Sequence, residues 1–288
     1  MPRSVANLAL GLLGIAAACG GCSSGRVAAA STIPNHAPPP FPTLKPFFIP
    51  GETITWEVTV AGITGARARL AVGEPAAVDG GGQVVVLRAE AESAGIAIII
   101  KEISSKMASW IDTESGVPSR SESDSSGFST TLLVEAERHP DEDGNPSVAF
   151  TIHRRKRTGD ETQSKVARLP VVETHDPLSA TLALRAWNAK RGTRALLYSL
   201  GGARLWRTEL TFEGNENLRT ALGSRKTVRI TGVSMRLRPT FDVDAKFKPR
   251  TFTIWVTDDD QRIPVQIQAR TEMGVMMARV TSYDSPDS

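Results

Sequence analysis

Past position 22 the 288-residue chain has no cysteine, since Cys19 and Cys22 are its only two. A domain built from the remainder has no disulfide, no thiolate ligand and no thiol nucleophile. Histidine is scarce, with four in the chain, so a serine nucleophile would have few bases to draw on. Aromatic residues make up 6%, too few for an extended surface that stacks bases or glycans. The formal net charge is only +3, which supports no claim for nucleic acid. Two basic runs exist, His153 to Arg157 and Arg225-Lys226. They read as a solvated strand face or turn, with contact to an anionic membrane surface as the alternative. No G-x-S-x-G elbow, P-loop or dinucleotide fingerprint occurs.

What is present begins with a leader. Met1-Pro2-Arg3 is a short positive region, and Leu8 to Ala18 is apolar and followed by small residues, the composition of a secretory signal. The run falls short of the about 20 residues of a comfortable membrane span. Ile15-Ala16-Ala17-Ala18-Cys19 resembles the bacterial lipobox, in which the cysteine is diacylated and becomes the mature N-terminus. Cys22, after Gly20-Gly21, is the second choice for lipidation. An ordinary cleaved signal or an uncleaved anchor is the other reading. The C-x-x-C spacing sits in an Ala/Gly run, a poor setting for metal or redox chemistry. No acidic residue follows Cys19, which leans toward the outer membrane over the inner.

Four segments are expected: a leader and lipobox region at 1–24, a Pro-rich tether at 25–50, a single antiparallel β domain at 51–282 and a flexible tail at 283–288. The tether holds Pro38-Pro39-Pro40, Pro42, Pro46 and Pro50, which favours extended backbone. Phe41, Phe47 and Phe48 are candidates to pin its last part to the domain.

In Glu52 to Val60, Ile54, Trp56, Val58 and Val60 share one face and Thr53, Thr55, Glu57 and Thr59 the other. This period of two predicts a half-buried strand. Ala66, Ala68, Leu70 and Val72 alternate with Arg67 and Arg69, completing a hairpin. Further strands are expected at Gln83–Ala91, Lys106–Asp112, Phe128–Glu137, Ser147–Lys156, Ala203–Phe212, Arg225–Val233, Met235–Thr240, Thr251–Thr257, Ile263–Ala269 and Val275–Val280. Gly95 to Ile103 reads equally as a buried strand or a short helix. One helix is expected from Leu178 to Lys190, with Asp176 as N-cap, Pro177 at its first position and Gly192 as C-cap. Repeated crossover helices are lacking, so the sheet is antiparallel. The expected fold is mainly β: a strongly curved sheet, half-barrel or open barrel, with one principal helix. A two-sheet sandwich is the runner-up.

Several short motifs occur in order. They are Gly51-Glu52-Thr53-Ile54-Thr55-Trp56 with Gly62 and Gly65, then Ser109-Trp110-Ile111-Asp112 through Gly116-Val117-Pro118. Next come Asp176-Pro177-Leu178-Ser179 with Leu184-Arg185, Trp255 through Asp258-Asp259-Asp260 to Arg262-Ile263-Pro264, and Gly274. Together they resemble the bacterial exported proteins that share the DUF3108 domain, over roughly 51–280. The resemblance implies a β-rich, curved fold and no established activity.

Asp112, Asp176, Ser179, Asp258, Asp260 and Arg262 read as structural polar positions. Ser179 lies in the first helical turn, where a hydroxyl serves local hydrogen bonding. The Asp258–Asp260 run lacks the spaced oxygens of a calcium loop, and no metal site or cofactor is expected. Asp258 or Asp260 is expected to cap its own turn, with Arg262 paired to one of them. Arg185 reads as a buried clamp to Asp112 or another carboxylate, or as an anion-facing guanidinium at a cavity mouth. If the curved sheet encloses a ligand, Trp56, Ile98, Ile100, Trp110, Arg185, Trp187, Trp206 and Trp255 are its candidate walls, with ordinary core packing as the alternative for each. The reading is therefore a non-catalytic envelope lipoprotein that carries a lipid, acyl chain or lipoprotein. The alternative is an assembly partner of an envelope complex, and a hydrolase on an envelope polymer comes last. The expected partners are the membrane, through the N-terminal lipid, and a lipid or envelope protein.

Overall fold

The alternation at the start of the domain sets the pattern for the whole molecule. In the computed structural model, which describes residues 37–79, 81–95, 104–127, 130–156, 159–271 and 274–286, Ile54, Trp56 and Val58 are buried while Glu57 is exposed. A strand with one face wet and one covered requires a second layer over the covered face. Here the sheet itself supplies that layer by curling.

Fifteen strands form one antiparallel sheet. They are β1 (Thr53–Val60), β2 (Ile63–Val72), β3 (Ala76–Ala77), β4 (Gln83–Ser93), β5 (Ser104–Asp112), β6 (Pro118–Gly127), β7 (Thr130–Pro140), β8 (Pro146–Lys156), β9 (Gly159–Arg168), β10 (Arg194–Gly201), β11 (Arg204–Thr220), β12 (Gly223–Arg236), β13 (Arg250–Thr257), β14 (Pro264–Thr271) and β15 (Gly274–Asp284). The order across the sheet is β10 to β15, then β1, β2, β4 and on to β9, with β3 beside β4. Nearly every neighbour in space is a neighbour in sequence. The exceptions are β2 against β4, across the short β3, and β15 against β1, which joins the two ends of the domain. This is a single curled sheet, the expected open barrel and not a sandwich.

The ends of the sheet, β9 and β10, approach without forming a ladder. Val148, Phe150 and Leu169 cluster with Leu200, flanked by Ala203 and Leu205. Lys165 Nζ donates to the Ala203 carbonyl at 2.9 Å. The main core lies on the other side of the interior. There Trp56, Leu70, Leu87, Leu210, Ile230 and Ile267 surround the helix α1 (Pro177–Ala186), whose residues 177–185 are all buried. Gly232 is needed in this wall, because a Cβ on it would overlap the Phe252 ring.

Several expectations are corrected. β6 and β9 are strands that the sequence does not announce. Their residues are polar, and β9 is exposed along almost its whole length. Backbone pairing places them: β6 has ladders on both sides and β9 has one to β8. Arg225–Val233 and Met235–Thr240 are not two strands; β12 runs unbroken from Gly223 to Arg236 along the still longer β11. β11 passes Phe212 by a bulge at Gly214, where φ is +93°, and continues to Thr220. β15 reaches Asp284, two residues into the segment read as a tail. The helix stops at Ala186, not Lys190. Trp187 is already extended (φ −72°, ψ 114°), because its side chain turns into the core. Gly192 instead sits in the turn before β10, its N–H bonded to the Phe212 carbonyl at 2.8 Å. Residues 96–103, with Ile98 and Ile100, lie outside the described residues, as do Cys19 and Cys22.

Candidate functional site

Two clusters of buried polar groups, with Asp176 in one and Glu52 and Arg185 in the other, lie at the two ends of α1. At the N-terminal end, Asp176 Oδ1 accepts from the backbone N–H of Leu178 (2.9 Å) and Ser179 (2.8 Å). Ser179 Oγ accepts from the Asp176 N–H at 2.9 Å. The pair is a capping box, which satisfies orphan donors of the first turn reciprocally. Asp176 Oδ2 takes a hydrogen bond from Ser109 of β5, so the cap also fastens the helix to the sheet. Burial raises the Asp176 carboxyl above its usual range, against the lowering effect of these donors and of Arg138. Arg138 of β7 donates to the carbonyls of Val172 (3.0 Å) and Thr174, and burial lowers its guanidinium to about 10.

At the other end, Arg185 is completely buried. Its guanidinium pairs with both Glu52 oxygens, Nη1 to Oε1 at 2.5 Å and Nη2 to Oε2 at 2.9 Å. It also donates to the carbonyls of Arg262 and Gln261, each at 2.9 Å. Arg262 returns the contact, with Nε to the Arg185 carbonyl at 2.7 Å and Nη2 to the Trp187 carbonyl at 2.8 Å. These bonds occupy helix carbonyls that have no partner inside the helix. The fork geometry explains why arginine is used twice: one planar group reaches a carboxylate and carbonyls together.

The motif residues thus converge. Glu52 at the entry to β1, Arg185 on the helix and Arg262 in the β13–β14 turn form one clamp. Ser109, Asp176 and Ser179 form another. The carboxylate that meets Arg185 is Glu52, not Asp112. Asp112 caps its own turn, taking Ser115 N–H and Oγ–H at 2.7 Å each, and these bonds lower its pKa. In the acidic run the turn-capping residue is Asp259, not Asp258 or Asp260. Its Oδ1 accepts from Thr257 Oγ (2.6 Å), Gln261 N (3.1 Å) and Arg262 N (3.2 Å). Asp258 pairs with Lys226 at 2.7 Å and stands 3.9 Å from Arg262. Asp260 is exposed.

His175 Nδ1 lies 3.3 Å from Ser179 Oγ, the spacing of a nucleophile and its base in outline. Ser179 is fully buried, however, and its oxygen is engaged in the capping box. Burial lowers the His175 imidazole to about 4, helped by Arg138. A depressed histidine pKa contributes stability that is complete above the unfolded value near 6.5 and is lost as pH falls toward 4. The unfolded chain takes up the proton first, so acidification from pH 6.5 to below 4 should cost folding about 3 kcal/mol through this residue. Asp176, shifted upward, acts in the opposite sense, so the histidine is best followed alone. A proton NMR titration should find the His175 midpoint at about pH 4; a midpoint near 6.5 would contradict this account.

Of the candidate wall residues, Trp56, Trp187, Trp206 and Trp255 are buried. Trp56 Nε1 donates to the Pro264 carbonyl at 2.7 Å. Trp187 stacks edge-on with Phe212 at 5.6 Å, Arg250 lies 4.8 Å above Trp206, and Trp255 Nε1 bonds Glu216. Trp110 is half-buried with the Arg120 guanidinium over it at 5.0 Å. The two best-formed cavities among the described residues touch none of the four buried tryptophans. One is an open groove of about 410 Å³ on β2 and β4 to β7, lined by Arg69, Arg88, Glu90, Lys106, Glu122 and Asp124 with some apolar neighbours. The other, about 10 Å³, lies beside Asp176 and Arg138. Glu52, Arg138 and Asp259 were missed by sequence reasoning. Glu52 lies in the opening motif and Asp259 in the acidic run, yet neither position tells its partner, and no local pattern marks Arg138.

Among solved structures, the chain is similar to a beta-barrel-like protein of the DUF1849 domain from Brucella abortus, at 11% identity and a TM-score of 0.47, covering 83% of this chain and 99% of that one. It is also similar to a putative exported protein with YmcC-like fold from Bacteroides fragilis, at 10% identity and a TM-score of 0.36, covering 83% and 100%. A third is the hypothetical lipoprotein YmcC from Escherichia coli, at 9% identity and a TM-score of 0.28, covering 83% and 90%. No protein with a curated description matches the sequence. The DUF3108 profile matches residues 53–281, nearly the whole described domain, and the chain belongs to this family of proteins of unknown function.

Proposed function

We propose that this is a non-catalytic protein of the bacterial envelope, tethered by a lipid on Cys19, whose β domain serves as a rigid scaffold for another envelope component. The observation that carries this reading is the use made of the motif residues. Glu52, Arg185 and Arg262, like Ser109, Asp176 and Ser179, spend their polar atoms on fixing α1 inside the sheet. None of these six is left facing a cavity large enough for a substrate.

The scaffold is favoured over the carrier because the interior is filled. The volume that an acyl chain would need holds Trp56, Trp206, Leu178, Leu182 and Leu184, all essentially without solvent exposure. The roomy groove on the outward face mixes six charged residues with Ala71, Ala89, Met107, Ala108 and Leu133 and lies open to solvent, so it does not enclose an acyl chain as a carrier's interior would.

Support for the tether comes from the leader alone: an apolar run, small residues and a cysteine. Two or three acyl chains at one cysteine would anchor firmly where one binds reversibly. In cells fed a labelled fatty acid, the wild-type chain should carry label and sediment with membranes. Cys19→Ala should lose both, while Cys22→Ala keeps both. A label that follows Cys22 would move the anchor, and an unlabelled wild type would remove it.

A further inference from the structure

We propose that one end of the curled sheet, made of the β1–β2 and β14–β15 turns and the segment 236–250, docks on an anionic phospholipid bilayer. This goes beyond the scaffold reading, and it does not depend on a lipid at Cys19.

The register of the sheet defines this end. Val60 stands opposite Met276, Met276 opposite Ala269, Ala269 opposite Phe252, Phe252 opposite Gly232 and Gly232 opposite Leu210. These residues form one row across β1, β15, β14, β13, β12 and β11. Beyond the row, β1 turns into β2 through Ala61 and Gly62, β14 turns into β15 before Gly274, and β12 leads to β13 through residues 237–249. The first two turns touch, since the Ala61 N–H donates to the Val275 carbonyl at 2.9 Å. In the third, Leu237 bridges Val243, which folds residues 238–242 into a tight turn.

This end is apolar where it projects. Seven large hydrophobic residues are exposed among the described ones, and four of them lie here: Ile63, Val233, Phe241 and Val275. Scattered single residues of this kind need no explanation. Ile63 and Val275, however, sit on the two touching turns, and Ile63 is 61% exposed. Phe241 is held at φ +67° in its tight turn, a conformation rare for a bulky residue.

The same end is basic. Residues 236–250 carry five cations, Arg236, Arg238, Lys246, Lys248 and Arg250, against Asp242 and Asp244. That excess equals the formal +3 of the entire chain. Asp244 is buried between Arg236 (3.9 Å) and Arg238 (3.8 Å). Lys246 and Lys248 are exposed and make no ion pair among the described residues. The same holds for Arg270, the register partner of Val275. At the opposite end the acidic turns are answered within the chain. Asp258 pairs with Lys226 at 2.7 Å, and Asp141 and Asp143 pair with Arg168 at 3.0 and 3.1 Å.

Projecting apolar side chains beside unpaired cations suit a membrane interface. The apolar groups enter the headgroup layer, and each lysine or arginine is drawn to an anionic leaflet. A free phosphate would engage the cations alone and leave Ile63 and Val275 in water. Docking at this end also points the acidic turns away from the anionic surface.

The test places the full chain on vesicles of phosphatidylcholine alone and of phosphatidylcholine with phosphatidylglycerol. Amide hydrogen exchange is then followed by mass spectrometry. Comparing the two vesicle types cancels what the leader or its lipid contributes, so failure of the anchor leaves this test intact. Segments 61–63 and 238–249 should exchange about tenfold more slowly on the anionic vesicles, while the turns at 141–145 and 258–261 exchange alike on both. Lys246→Gln/Lys248→Gln, at two exposed positions, should lose most of that slowing. The wild-type comparison stands even if the variant misfolds. Equal exchange on the two vesicle types, slowing centred on the opposite end, or slowing that the folded variant keeps would each overturn the proposal. So would the same slowing in inorganic phosphate without vesicles, which would make the cluster a phosphate site and not a membrane contact.

Discussion

Replacing Arg185 by methionine should cost about 3–5 kcal/mol of folding stability, the usual consequence of leaving one member of a buried ion pair alone. The substitution strands Glu52, which is also fully buried, in a low-dielectric interior. It also frees the Gln261 and Arg262 carbonyls, which take hydrogen bonds from Arg185. For a domain of this size the melting temperature should fall by roughly 6–20 °C. Removing both charges in Glu52→Met/Arg185→Met should recover part of the loss, because the stranded carboxylate is gone. It should not recover all of it, because the two carbonyls remain unpaired. Urea unfolding of the four members of this cycle measures the coupling directly. A single-variant loss below about 1 kcal/mol, the value of an exposed pair, would mean that the clamp does not hold the helix.

The sequence exposed some of this architecture and hid the rest for definable reasons. β1 and β2 were legible because one face is buried, and burial writes a period of two into Ile54, Trp56 and Val58. α1 was legible at its start, since Asp176 and Pro177 act locally on the next three residues. Its end was not, because Arg262 satisfies the last carbonyls from 75 and 77 residues away. β6 and β9 left no trace, since their places are set by backbone ladders that any polar sequence can make. β6 even carries Ser121, Ser123 and Ser125 opposite Ser109, Met107 and Ser105. The clamp was half legible. Arg185 stood out as a cation on an apolar helix, and a carboxylate partner was expected. That it is Glu52, 133 residues upstream, follows only from the curl that brings β1 under the helix.

The second large effect concerns Trp56, and it separates a filled interior from a carrier's cavity. Trp56 has no exposed surface and bonds the Pro264 carbonyl. Trp56→Ala should therefore cost about 3–5 kcal/mol, as large-to-small changes at packed core positions do. If Trp56 instead walled a cavity for a bound chain, the apo protein would tolerate the truncation and the loss would appear in ligand binding.

The most direct measurement is native mass spectrometry of the wild-type chain and Trp56→Ala, both purified from a bacterial envelope under mild conditions, with lipids extracted from the same samples. The account predicts that wild type carries no lipid beyond its own covalent anchor and that Trp56→Ala unfolds at markedly lower urea. A stoichiometric, non-covalent acyl chain or lipid in the wild type, lost in the variant without loss of stability, would contradict it and make the domain a carrier.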